Sequence, residues 1–321
     1  MIFTFKFKNF KLETVASEIL GTGKDIDSDS GKVAEIERRF KEDKKALAKY
    51  NLLDCKLVTD IFEKCQIFNL LIKRSNVSGL LIDRLSISTA AFDHVMLPYL
   101  HRKGFVAPNR FEIDRETPAS GGYVIAPESG LYKNIALFDF KSLYPTIIQT
   151  FHIDPYSKLC SENNTIKTPG GLEFSKDEYI LPDVIESLKK KRSLAKHNNE
   201  RELSQAIKIL MNSFYGVMGS SRSRFYHADL PQAITTTGKY ILEVAINFFK
   251  EKGFKTIYGD TDSLFVELSS HDSVFAKDLC HQLNIFLGSH RMNDFFDTWL
   301  TTSEETDQRK TLWRATEADT Q

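Results

Sequence analysis

Apolar positions in this chain follow two periods, and the places where the period changes outline its elements. Phe3, Phe5 and Phe7 alternate with polar residues, which predicts a strand at the start. A polar stretch, "GTGKDIDSDSGK", predicts a loop. From "EIERRFKEDKK" through "IFNLLIKR" the apolar residues recur at helical spacing among many charges, so helices are expected up to about residue 75. Residues 76–130 are mixed, with turn signals at "APNR" and "PASGG". "NIALFDF" reads as a strand. "SLYPTIIQTF" follows as a helix start, with Ser142 near the cap and Pro145 in the first turn, where proline is tolerated. Residues 158–180 read as a surface loop. "LPDVIESLKKKRSLAKHNNERELSQAIKILMNSFYG" predicts two helices joined near "HNNE", and "PQAITTTGKYILEVAINFFKEKG" a third that stops near Gly253. "FKTIYGDTDSLFVEL" predicts a β-hairpin with Gly259 to Asp262 at its turn. Beyond about residue 290 the text is polar and without period, and a loose tail is expected.

Composition narrows the class. A length of 321 residues allows one large domain or a few smaller ones, and 41% hydrophobic with 27% charged residues predicts a soluble protein with a sizeable core. The net charge of zero gives no support to a nucleic-acid partner but leaves room for a local basic stripe. Cys55, Cys65, Cys160 and Cys280 form no CxxC pair, which argues against a disulfide framework or structural zinc and for a reducing compartment. No apolar run reaches membrane-spanning length, and the lysine-broken start is not a secretion signal.

Three stretches carry chemistry. Asp260 and Asp262 sit two apart in an apolar run, so on a strand both carboxylates face one way. Burying such a pair is costly unless a cation joins it, while the plain alternative is an ordinary hairpin turn. Asp139 closes an apolar strand just before a helix start, whose free N–H groups suit a phosphate. An aspartate there can share magnesium with phosphates, or it can simply end the strand. On the helix around "ELSQAIKILMNSFYG", Leu203, Ile207, Leu210, Phe214 and Val217 make an apolar face. Lys208, Asn212 and Tyr215 make a second stripe able to meet a phosphate and a flat base. Arg192 and Lys196 add a basic stripe upstream, although a run such as Lys189 to Arg192 is usually a solvated face. Together these stretches describe two-metal phosphoryl chemistry.

"DFKSLYPTII", "KILMNSFYG" and "YGDTDS", in this order, resemble the three polymerase motifs of family B DNA polymerases. "IDPYSKL", "RSLAK", "KYNLLDCKLVTDIFEK", "GFVAPN" and "SGGYV" extend the resemblance over about residues 1–285, nearest to the bacterial branch. It implies an α+β fold: a palm with an antiparallel sheet plus helical fingers, preceded by a partial α/β ribonuclease-H-like exonuclease domain. The expected division gives residues 1–75 to the incomplete exonuclease domain, 76–133 to a connecting segment, 134–180 and 231–290 to the palm, 181–230 to the fingers and 291–321 to a divergent tail. The resemblance implies catalytic roles for Asp139, Asp262, Asp260 and Lys208. Two magnesium ions, replaceable by manganese, would be held chiefly by Asp139 and Asp262. It implies a deoxynucleoside triphosphate site of Ser142, Leu143, Tyr144, Arg192, Lys196, Lys208, Asn212 and Tyr215, with Tyr144 excluding a 2′-hydroxyl. Gly121 and Gly122 resemble a glycine motif near template DNA.

Tyr50 and Asp54 in "YNLLD" match the last proofreading motif, while the earlier exonuclease motifs and a thumb motif are not found. The chain therefore resembles an interior portion of such a polymerase, expected to be weakly active and without proofreading. Implied partners are primer–template DNA, deoxynucleoside triphosphates and, for the family, a sliding clamp. The implied setting is a bacterial cytoplasm, at the nucleoid, with no membrane. The alternatives are a catalytically inactive remnant that binds nucleotide or DNA, and another two-metal enzyme such as a nuclease.

Overall fold

The computed structural model describes residues 7–23, 32–109, 121–127, 129–269, 273–289 and 313–317. Its centre is a five-stranded antiparallel sheet in the order β1-β5-β6-β2-β7. The strands are β1 (Val124–Ile125), β2 (Ile135–Phe140), β5 (Lys255–Asp260), β6 (Ser263–Glu267) and β7 (Trp313–Glu317). Alternation sets the faces. On β2, Ala136, Phe138 and Phe140 are buried while Ile135, Leu137 and Asp139 are half-buried. The core face packs on α10 (Asp229–Glu251), where the rings of Phe138 and Phe249 lie 4.7 Å apart. This is an α+β fold.

β5 and β6 form the expected hairpin, and the glycine of "YGDTDS" has a packing reason. A Cβ on Gly259 would lie 2.7 Å from Ile125 Cδ1 and 2.8 Å from Leu264 Cδ2. A side chain here would have to displace the ends of Ile125 on β1 and Leu264 on β6, which pack against the bare main chain.

α8 (Leu181–His197) and α9 (Arg201–Met218) are the two helices expected around "HNNE", and they pack along each other. Ile207, Leu210, Phe214 and Val217 of α9 are buried as their spacing requires, and Leu203 packs against them. α10 ends at Glu251, and Gly253 adopts φ 80°, a left-handed stop. α6 (Leu143–Thr150) leaves β2 through Lys141 and Ser142 and packs on α8, α9 and α10. At the C-terminal side, α11 (Ser273–Ser289) packs on α10 and β7.

The N-terminal residues are helical: α1 (Leu12–Leu20), α2 (Lys32–Glu42), α3 (Lys44–Lys64) and α4 (Ile67–Ser78). Ala16, Leu57, Ile61 and Ile67 form their own small core, and α4 joins it to the main body through α9.

Four expectations need correction or fall out of reach. The strand through Phe3 and Phe5 lies outside the described residues, while Phe7 is not in a strand and packs its ring 5.6 Å from that of Phe10. The mixed stretch after residue 76 contains a full helix, α5 (Ser88–Arg102), with Pro98 inside it. The expected loop 158–180 contains a second, two-stranded sheet of β3 (Thr165–Lys167) and β4 (Glu173–Ser175). Ile166 and Phe174 anchor it in the core. The tail expected to lack structure contributes β7, paired with β2 from Ala136 to Phe140; the rest of it lies outside the described residues.

Candidate active site

The site grows from one backbone junction. Asp139 on β2 stands opposite Ser263 on β6, and the Phe140 N–H donates to the Asp262 carbonyl at 2.7 Å. These pairings bring Asp139 beside the hairpin tip. The tip is tight. The Asp262 N–H donates to the Asp260 carbonyl at 2.5 Å around Thr261, which sits at φ 53°. A left-handed β-branched residue is a strained one, and such strain gathers at functional sites.

The two hairpin aspartates do not share one strand face. Asp260 ends β5 and is exposed, whereas Asp262 occupies the turn and is half-buried. Period-two alternation stops where the strand stops. Burial pushes the Asp262 carboxyl up to about 6, and the charges of Asp139 and Asp260 add to the effect, with Lys208 opposing it. A half-buried carboxylate raised by its neighbour is a place where a cation lowers the energy, so the Asp139–Asp262 pair fits a divalent metal. Among the described residues, no group of three or more His, Cys, Asp or Glu is arranged to hold a metal.

Beside this pair begins α6. Ser142 is its cap at φ 59° and its side chain makes no capping bond. The first intrahelical acceptor, the Ser142 carbonyl, serves Thr146, and Pro145 has no N–H. The N–H groups of Leu143 and Tyr144 therefore have no partner within the helix, an arrangement suited to an anion.

Tyr144 is half-buried with its ring 4.6 Å from that of Tyr215, tilted by 49°. Its hydroxyl is pushed up to about 12, by burial first and then by Tyr215, Asp262 and Asp260. Lys208 and Asn212 continue the α9 stripe from Tyr215 and are exposed. Gly122 runs past the hairpin tip, where the Thr261 N–H donates to the Tyr123 carbonyl at 2.9 Å. Gly121 is exposed beside it.

Arg192 and Lys196 lie on α8, which packs on both α6 and α9. Burial lowers the Arg192 guanidinium below its usual range, and its Nε is buried without a hydrogen-bond partner. An orphaned buried guanidinium donor suits a phosphate. Lys196 is exposed. Tyr50 and Asp54 stand apart on α3, whose main packing partners are α1, α2 and α4.

Sequence reasoning missed Lys189. It lies in a basic run read as solvated, yet it is half-buried and bonds to Thr146 Oγ1 at 3.2 Å and to Gln149 Oε1. Burial, with the charge of Lys141, lowers its ammonium to about 8, and Glu186 opposes the shift. Its three-residue offset from Arg192 was the available signal. Thr261 was also passed over. A Cβ on Gly238 of α10 would touch Leu143, Tyr144 and Ile147 at 3.6–3.8 Å.

Residues 86–296 match the DNA polymerase family B pattern. The chain belongs to DNA polymerase family B. It is 44% identical over 274 residues to DNA polymerase II of Escherichia coli K12, covering 84% of this chain and 35% of that protein. It is 30% identical over 298 residues to a DNA polymerase of Desulfurococcus sp. strain Tok, covering 85% and 38%. Among solved structures, the family B DNA polymerase of Pyrobaculum calidifontis superposes with a TM-score of 0.67 at 26% identity, over 90% of this chain and 39% of that one. The chain thus spans a little over a third of the length of these family B relatives. None of its helices, among the described residues, is long and apolar enough to cross a membrane.

Proposed function

We propose that this chain carries the nucleotidyl-transfer site of a DNA-directed DNA polymerase, joining a deoxynucleoside triphosphate to a primer 3′-hydroxyl on a DNA template. The observation that carries the reading is the junction of Asp139 and Asp262 beside the open N-terminus of α6 and the ring of Tyr144. Family B membership supports the same chemistry. In the reaction the 3′-hydroxyl loses its proton, its oxygen bonds to the α-phosphorus, and pyrophosphate leaves. Two magnesium ions, when bound, would stabilise the attacking and leaving oxygens. Asp139 and Asp262 would hold them. The Leu143 and Tyr144 N–H groups, Lys208, and Arg192 with Lys196 from α8 meet the triphosphate charge. Asn212 and Tyr215 line the base side. The Tyr144 ring fills the space beneath the sugar and excludes ribose.

Gly121 and Gly122 border the template, and Tyr50 with Asp54 marks the last proofreading motif. The setting we propose is a bacterial cytoplasm, on DNA. Primer extension with magnesium tests the reading. Asp139→Asn and Asp262→Asn should each abolish incorporation by the purified chain while leaving its thermal midpoint within a few degrees. Full activity in Asp262→Asn would overturn the assignment. Nucleotide binding without extension, in the unmutated chain, would instead favour a binding remnant.

A further inference from the structure

We infer that Gly122 is a positioning residue for sugar selection, because its lack of a side chain lets the main chain before β1 lock the hairpin tip against the hydroxyl of Tyr144. The inference rests on the polymerase reading above and adds a residue and a coupling to it.

The spacing is tight on two sides. A Cβ on Gly122 would lie 2.6 Å from Thr261 Oγ1, 3.1 Å from Thr261 Cγ2 and 3.1 Å from the Tyr144 hydroxyl oxygen. The first distance is below any that a real Cβ contact takes, so something must move. Thr261 is poorly able to do so. Its hydroxyl donates to Asp260 Oδ1 at 2.9 Å, its N–H donates to the Tyr123 carbonyl at 2.9 Å, and its backbone is already left-handed.

Tyr144 is held as well, with Tyr215 against its ring and Gly238 along its edge. Tyr123, next to Gly122, is covered by Lys239, whose ammonium stands 5.0 Å from the ring centre. The segment is held to the hairpin by the Tyr123 carbonyl and by the pairing of β1 with β5, and Lys239 adds a weaker contact from α10. Any side chain at position 122 pushes on the hairpin that bears Asp260 and Asp262, and on the phenol end of Tyr144. The sugar check and the carboxylate hairpin are one mechanical unit with Gly122 as the shared wall.

Gly238 supplies the contrast. A methyl there meets the same tyrosine at 3.7 Å, an ordinary contact, so the tyrosine keeps its place.

The test needs no turnover. The chain is bound to a primer–template whose primer ends in a dideoxynucleotide, with magnesium, and the Kd of dATP and of ATP opposite thymine are compared. The chain without substitutions should prefer dATP. Gly122→Ala should shrink that preference about tenfold or more, since sub-ångström displacements in a positioned site carry effects of this size. Gly238→Ala should keep the preference.

The thermal midpoint lost in Gly122→Ala should return largely when Thr261→Ala is added, because that change removes both close threonine atoms. If Gly122→Ala does not fold, this double variant carries the Kd comparison through the remaining Tyr144 contact. An unchanged dATP-to-ATP ratio in a folded variant overturns the inference and leaves the polymerase reading standing. Equal weakening of both nucleotides, tracking lost primer–template affinity, makes Gly122 a template contact only and also overturns it. Absence of any nucleotide binding by the unsubstituted chain overturns the reading and the inference together.

Discussion

Asp154 ties together two helix starts that lie far apart in the sequence. It is fully buried, caps α7 (Pro155–Leu159) through the Ser157 N–H at 2.6 Å, and accepts the Ile180 and Leu181 N–H groups at 2.6 and 3.0 Å at the start of α8. Replacing it with Ala leaves buried donors without partners and should cost on the order of 3 kcal/mol in chemical denaturation. Burial pushes its carboxyl up to about 6 from the ordinary 3.8, with these N–H bonds pulling the other way. The folded state thus binds the proton more tightly than the unfolded chain. This group adds stability as pH falls from about 6 to 3.8, and withdraws it as pH rises back through 6. Relative to Asp154→Asn, the wild type should gain up to about 3 kcal/mol between pH 7 and pH 4. A flat difference across that range would refute it. The "IDPYSKL" resemblance pointed to this neighbourhood, but local text cannot reveal a bond to residues 180 and 181. Asp260 and Asp262 show the same limit. Their spacing is visible in the sequence, while the turn that half-buries one and exposes the other depends on the register of β5 with β6.

Elements with a long uniform period were legible: α8, α9, α10 and β2 stand where their patterns put them, and so does the β5–β6 hairpin, although Gly259 and Asp260 extend β5 and leave Thr261 and Asp262 as the turn. Short or interrupted ones were not. β3 and β4 are three residues each, too short for alternation to register, and are held by tertiary burial of Ile166 and Phe174. α5 carries Pro98, which removes an internal hydrogen bond and reads as a break; burial of Phe92, Met96 and Leu100 compensates. The hairpin yields a prediction at this scale. Gly259→Ala drives a methyl into Ile125 and Leu264, and overpacking of this kind should destabilise the fold by about 1–3 kcal/mol. Equilibrium urea unfolding reads this out. Since β1, among the described residues, pairs with β5 alone, its docking should loosen first, seen as faster amide exchange at Ile125.

At the scale of the whole molecule, β7 matters more than its sequence suggests. It covers the outer edge of β2, the strand that carries Asp139. Its polar text shows no strand period, so only the pairing reveals it. Deleting residues 290–321 should leave β2 as an open edge and promote association between chains. Light scattering should rise with concentration in the shortened chain and not in the full one. A shortened chain that stays monomeric and keeps its thermal midpoint would show that β7 contributes little. The net charge of zero was equally uninformative at this scale, because Lys208, Arg192 and Lys196 concentrate cations on two packed helices.

The junction of Asp139 with the hairpin also dictates when during folding the site comes into being. Helices α6, α8, α9 and α10 all lie between β2 and β5 in the chain, so the carboxylate pair closes a very long loop. Local helices need no long loop closure and form early, whereas such a distant pairing waits for the intervening chain to compact. On dilution from denaturant, far-ultraviolet helicity recovers before nucleotide affinity does, and a nascent chain has most of its helical scaffold before it has a site.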